Sequence, residues 1–183
     1  MDCLRELVRY LKSRHLVRVR RTGPGTSYTD GFVVALSDEL VAMYSVVDFS
    51  PDGFEVFPLE SVSKVESSAR DVFWQSVLER EGVLPNGLPP RLQIGDCRAL
   101  MTSLRKWGKA VGVSYRDEDK DWYAPGVVRD AGDEDFGLHY FSSSGVWDDE
   151  LTRIRYEDVL RVDVERPYVN TFERHLVPPD DLD

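Results

Sequence analysis

Apolar side chains recur at Leu4, Leu7, Val8 and Leu11, the i, i+3, i+4, i+7 spacing of one helical face, with Asp2 standing where an N-cap belongs. The period then changes from helical to alternating. Val17 and Val19 alternate with Arg18 and Arg20, the pattern of a half-buried strand over 16–21. Gly23 to Ser27 reads as a loop. Strands are predicted over 31–36 and 40–47, joined at Ser37-Asp38-Glu39. Phe49-Ser50-Pro51-Asp52-Gly53 carries turn chemistry, and strands follow over 53–59 and 62–66. Helical spacing returns over 69–81 through Val72, Phe73, Val77 and Leu78.

The same plan then runs a second time. Asp2-Cys3 is matched by Asp96-Cys97, and Glu60-Ser61-Val62-Ser63-Lys64-Val65-Glu66 by Glu157-Asp158-Val159-Leu160-Arg161-Val162-Asp163. A helix over 96–106 turns Cys97, Leu100, Met101 and Leu104 inward. Strands are predicted over 109–115, 122–129, 136–142, 151–156 and 160–164, and a closing helix over 168–176. The offset drifts by three residues along the chain, as expected when insertions fall in turns. The domain expectation is a first repeat over 1–83, a Pro/Gly linker over 84–94, a second repeat over 95–177 and an acidic tail over 178–183.

The fold class expected is α+β, mainly β. Each copy is an N-terminal helix, a five-stranded barrel or bent antiparallel sheet, and a closing helix. One helix cannot cover both faces of an open sheet, which favours curling of the strands. The order of a helix followed by five short strands resembles the Sm-like fold, although the Asp and Asn pattern through which Sm proteins contact RNA is not matched. A second resemblance rests on Gly31-Phe32-Val33-Val34-Ala35-Leu36-Ser37-Asp38-Glu39, Asp52-Gly53-Phe54, Trp147-Asp148 and Tyr156 to Asp163. These look like a group of bacterial tandem-repeat proteins to which no activity is assigned. That resemblance implies tandem Sm-like units and a bacterial source.

Charge changes the functional picture. The net charge is −10, with residues 1–94 contributing −2 and residues 95–183 contributing −8. The acid gathers in Asp117-Glu118-Asp119-Lys120-Asp121, Asp133-Glu134-Asp135 and Asp148-Asp149-Glu150. Such a field repels nucleic acid and attracts basic surfaces. Against it stand Arg5, Arg9, Lys12, Arg14, Arg18, Arg20 and Arg21 near the N-terminus, read as a solvent face or as ion-pair partners of the acidic second copy. No apolar run reaches the roughly 20 residues of a membrane helix. The first residues lack the basic-then-apolar order of a signal peptide, so the expected location is cytoplasmic.

Catalytic patterns are missing. His15, His139 and His175 have no metal-binding spacing, and structural or surface roles are expected of them. Asp117, Asp119 and Asp121 open like a calcium loop, but Trp122 stands where the sharp turn needs Gly and Val128 where the bidentate Glu belongs. Gly23-Pro24-Gly25 lacks the Lys-Ser/Thr of a phosphate loop. Cys3 and Cys97 hold equivalent positions at helix starts, and reduced, half-buried thiols are expected.

The expectation is therefore a non-enzymatic protein-binding module without metal or cofactor. Its leading form is a bacterial immunity protein, a toxin inhibitor that neutralises a basic domain such as a nuclease by occluding it. The candidate partner-binding residues are Asp117, Asp119, Asp121, Trp122, Trp147, Asp148 and Asp149. An exposed tryptophan flanked by carboxylates suits a basic protein partner. The alternative is an RNA- or peptide-binding Sm-like module using Arg18, Arg20 and Arg21.

Overall fold

A computed structural model describes residues 3–22 and 28–177. The expected Asp2 cap, the loop 23–27 and the tail 178–183 lie outside them. The described residues form an α+β, mainly β fold, with four helices and one antiparallel sheet of ten strands. The first helix, α1 (Cys3–Ser13), buries Leu7 and Tyr10. It ends as Arg14 turns left-handed, φ 52°, while its N–H still reaches the Tyr10 carbonyl at 2.9 Å. Then come β1 (Val17–Arg21), β2 (Tyr28–Leu36), β3 (Leu40–Val47), β4 (Ser50–Pro58) and, after a 3-10 turn at Leu59–Ser61, β5 (Val62–Glu66). Helix α2 (Ala69–Glu81) opens with the Ser68 N–H donating to the Asp71 carboxylate at 2.7 Å, and closes on Gly82 in the left-handed region.

The second half runs α3 (Cys97–Trp107), β6 (Ala110–Asp117), β7 (Lys120–Ala131), β8 (Asp135–Tyr140), β9 (Thr152–Arg155), a 3-10 turn at Tyr156–Asp158, β10 (Val159–Val164) and α4 (Pro167–His175). Among the described residues no helix is long and apolar enough to cross a membrane.

The strand order is β5-β1-β2-β3-β4-β10-β6-β7-β8-β9. Closure within each half is not what the pairing shows: the sheet is open, with β5 and β9 at its edges. β4 spends its outer edge on β10 of the other half, through Phe54↔Val164, Glu55↔Asp163 and Val56↔Val162. Gly53, at φ 81°, is what permits this seam, because a Cβ there would sit 2.6 Å from the Val164 carbonyl oxygen.

One expected turn moves. The bend is Asp48-Phe49, both left-handed, and Ser50 to Gly53 already belong to β4, paired with the end of β3 as Val47↔Ser50 and Val46↔Pro51. Pro51 lies outside the stretch that pairs with β10, where its missing N–H costs no seam bond.

The main core crosses the seam. Leu40, Ala42, Phe54 and Val56 of the first half pack with Leu100, Met101, Leu104, Val113 and Phe136 of the second. The expected linker joins it, with Leu92 buried and the Gln93 N–H donating to Ser103 Oγ at 3.2 Å. A second core lies under α1, around Leu7, Val19, Met43 and Phe57. Smaller clusters sit under α2, around Leu16, Phe32 and Leu78, and under α4, around Ala110, Phe141 and Val169.

Candidate functional site

β6 and β7 pair without a bulge out to Asp117↔Lys120, so Glu118 and Asp119 form a two-residue turn. Glu118 takes the left-handed conformation, φ 53°. Residues 120–123 are exposed on both strand faces, which means that this hairpin runs past the core. Asp117, Glu118 and Asp119 lie in water at its tip. One position back, Arg116 Nε donates to Asp121 Oδ1 at 3.2 Å, and Trp122 follows with 51% of its surface exposed. Tyr123 crosses β6 at Gly112, where a Cβ would meet the phenol oxygen at 2.1 Å. Burial, with Asp163 nearby, raises the Tyr123 phenol well above its ordinary value. The hairpin thus gathers Asp117, Asp119, Asp121 and Trp122 of the expected site.

Trp147, Asp148 and Asp149 have a different setting. Trp147 is half-buried, with its ring 4.7 Å from that of His139 and 5.2 Å from that of Phe141. Its Nε1 donates to the Val177 carbonyl at 2.8 Å, past the end of α4. The expectation of an exposed anchor at Trp147 is therefore corrected: this indole fastens α4 to the sheet. His139 is buried and donates through Nε2 to the Asp148 carbonyl at 2.9 Å, a structural role. The side chains of Asp148 and Asp149 face solvent.

Beside the hairpin, a groove of about 600 Å³ draws its walls from both halves. Glu60 and Ser61 come from the turn before β5, Glu157 from the turn before β10, and Asp121, Trp122 and Arg116 from the hairpin. Beneath it lies a buried charge cluster on the seam. Glu55 and Asp163 face each other in register. Glu55 accepts from Thr29 Oγ1 at 2.5 Å, Arg166 Nη1 at 3.0 Å and, more weakly, Arg21 Nη2 at 3.4 Å. Arg161 Nη2 donates to Asp163 Oδ2 at 3.2 Å. Arg161 Nε also approaches Asp163 Oδ1 to 2.9 Å, but its alignment is too poor for a hydrogen bond. Arg21 Nε has no acceptor, and its guanidinium lies 4.4 Å above the Phe57 ring. Burial pushes the Asp163 carboxyl up to about 6 despite Arg161 and Arg166, and pulls Arg21 below its ordinary value.

Arg9, Arg18, Arg20 and Arg21 pair with carboxylates of the first half rather than the second. Arg18 makes a two-pronged bond to Asp30, both arms 2.7 Å, and Arg20 bonds Glu66 at 2.7 Å. Cys3 and Cys97 are both free and half-buried. The helix start does not activate Cys97: burial, with Asp96 and Glu39 adding to it, pushes its thiol up to about 12. Among the described residues no group of three His, Cys, Asp or Glu side chains could hold a metal ion.

A second surface feature escaped the sequence reading. Phe49, left-handed at φ 62°, packs its ring 4.4 Å from Trp74 and 6.3 Å from Phe73. Val72 and Phe73 are 67% and 58% exposed. A bulky residue in the left-handed region costs about 1 kcal/mol or more. The signal was available: Val72, Phe73 and Trp74 are consecutive, and three consecutive helical residues cannot all face a core. No protein-family model, curated protein or solved structure matches this chain.

Proposed function

We propose that the chain is a non-enzymatic protein-interaction module that binds a basic partner through the β6–β7 hairpin, acting as a cytoplasmic bacterial immunity protein that occludes a basic toxin domain such as a nuclease. The observation that carries this reading is Trp122, half exposed on a hairpin that projects past the core and flanked by Asp117, Glu118, Asp119 and Asp121. Carboxylates steer the encounter, and a rigid, partly open indole supplies desolvated contact area once docked. The commitment of Arg18, Arg20 and Arg21 to Asp30, Glu66 and Glu55 speaks against RNA binding on that strand.

In the same reading the chain consists of two copies of one Sm-like unit, over 1–83 and 95–177. Three features support it. The order β5-β1-β2-β3-β4 is repeated by β10-β6-β7-β8-β9, each last strand follows a 3-10 turn, and each first strand follows an amphipathic helix.

The test is capture of partners from the host by the tagged chain at low and high salt, in parallel with W122A and with the triple variant D117N/D119N/D121N. A basic protein retained at low salt and lost by both variants supports the reading. Equal retention by the variants, or capture of RNA in its place, overturns it.

A further inference from the structure

We infer that the groove beside the hairpin is a receptor for an arginine side chain of the basic partner, with the guanidinium stacked on Trp122 and paired to Glu60; this rests on the interaction reading above. Each of the groove's own cations already faces a carboxylate, although the buried Nε of Arg21 and of Arg161 finds no acceptor among the described residues. Arg116 is paired to Asp121, Arg161 Nη2 to Asp163, and Arg21 weakly to Glu55. Its carboxylates are less so. Glu60 is exposed and has no ion pair among the described residues, and Glu157 has only the exposed Arg155, at 2.8 Å. Trp122 presents half its surface, and its indole N–H has no partner among the described residues.

An open indole face and an uncompensated carboxylate lining one groove suit a cation that stacks and forks at once. Arginine does both, because its guanidinium is planar and weakly hydrated, whereas an ammonium is a compact, strongly hydrated charge. An anion entering the same groove would have to pass the exposed Glu60 and Glu157. The volume, about 600 Å³, exceeds the need of one side chain and leaves room for its flanking backbone.

The experiment uses the full chain and capped tripeptides, acetyl-Gly-Xaa-Gly-amide, with arginine, lysine, citrulline or glutamate at the centre. Binding is followed by two-dimensional NMR, and the Trp122 indole signal is assigned by its loss in W122F. The arginine peptide is expected to shift that signal, lysine to do so more weakly, and citrulline, the neutral isostere, to leave it in place. E60Q, at an exposed position, is expected to keep the rest of the spectrum and weaken the arginine peptide about threefold to tenfold. No Trp122 shift with arginine, an equal shift with citrulline, a shift by glutamate, or unaltered affinity in E60Q would each overturn the inference.

Protamine binding separates this inference from the reading it rests on. If protamine binds in a way that D117N/D119N/D121N abolishes while the arginine peptide leaves Trp122 unmoved, the groove is wrong and the interaction surface stands. If that triple variant binds protamine as well as the parent chain, the interaction surface itself is wrong.

Discussion

Helices α2 and α4 follow the last strand of their respective halves and dock in the same way, yet differ in how much apolar surface they leave in water. Each is tied to the start of a first strand by one side chain. Gln75 Oε1 of α2 accepts from the Leu16 N–H, and Glu173 Oε1 of α4 accepts from the Ala110 N–H, both at 3.0 Å. Beyond that tie they diverge. α4 buries Val169 and lays Phe172 5.3 Å from Phe141, with Trp147 against the same ring. α2 buries Leu78 and leaves Val72 and Phe73 outside. A helix of this size needs only a polar tie and one or two buried side chains to hold its place. Its other apolar positions are then free to become surface, and on α2 they form a patch with Phe49.

The largest way to break this comparison lies under α4. Phe141→Ala removes a fully buried ring and is expected to destabilise the fold by about 3–5 kcal/mol in chemical denaturation. A loss near zero would mean that α4 is not packed as described. The polar ties come next. Gln75→Ala and Glu173→Ala each strand a backbone N–H, with an expected cost of about 1–3 kcal/mol. Comparable losses would establish the tie as the shared docking device, whereas an effect confined to one helix would make the correspondence superficial.

The seam that joins the two regions is expected to respond to pH through Asp163. Asp163 sits near 6 in the folded chain, above the ordinary aspartate value in the unfolded one, so the folded state takes up the proton first. Its contribution therefore grows as pH falls through 6 and is lost as pH rises through 6. Unfolding curves between pH 7 and 5 are expected to show this gain in the parent chain and its absence in D163N. The smallest effect belongs to the α2 patch. Phe73→Ser is expected to alter stability by no more than about 0.5 kcal/mol, since the ring is already largely in water.

Much of the secondary structure was legible because it depends on local periods. The inward face of α3 was read correctly at Leu100, Met101 and Leu104, since a 3.6-residue repeat needs no partner to be recognised. The strand starts were harder. Ser50-Pro51-Asp52-Gly53 has the composition of a turn, but pairing with β3 draws it into β4 and pushes the bend onto Asp48-Phe49. The grouping of Asp117, Asp119, Asp121 and Trp122 could be read from the sequence because they are neighbours in one hairpin. The exposure of Trp147 could not be read so, because it depends on Val177, just past α4 and 30 residues further along the chain. Glu60 and Glu157 were invisible as groove residues, since only the meeting of β4 with β10 brings their turns to one opening.

The sequence by itself determined most of the helix and strand stretches, their order of helix, five strands and helix in each half, and that the second half carries most of the negative charge. Those properties follow from side-chain period and composition, which are summed along the chain. Only the tertiary structure decided which strand edge meets which, that the sheet stays open, that Glu55 and Asp163 are buried face to face, and which tryptophan remains in water. Each of these depends on residues far apart in sequence, where burial depends on the partner that arrives and not on the residue that waits.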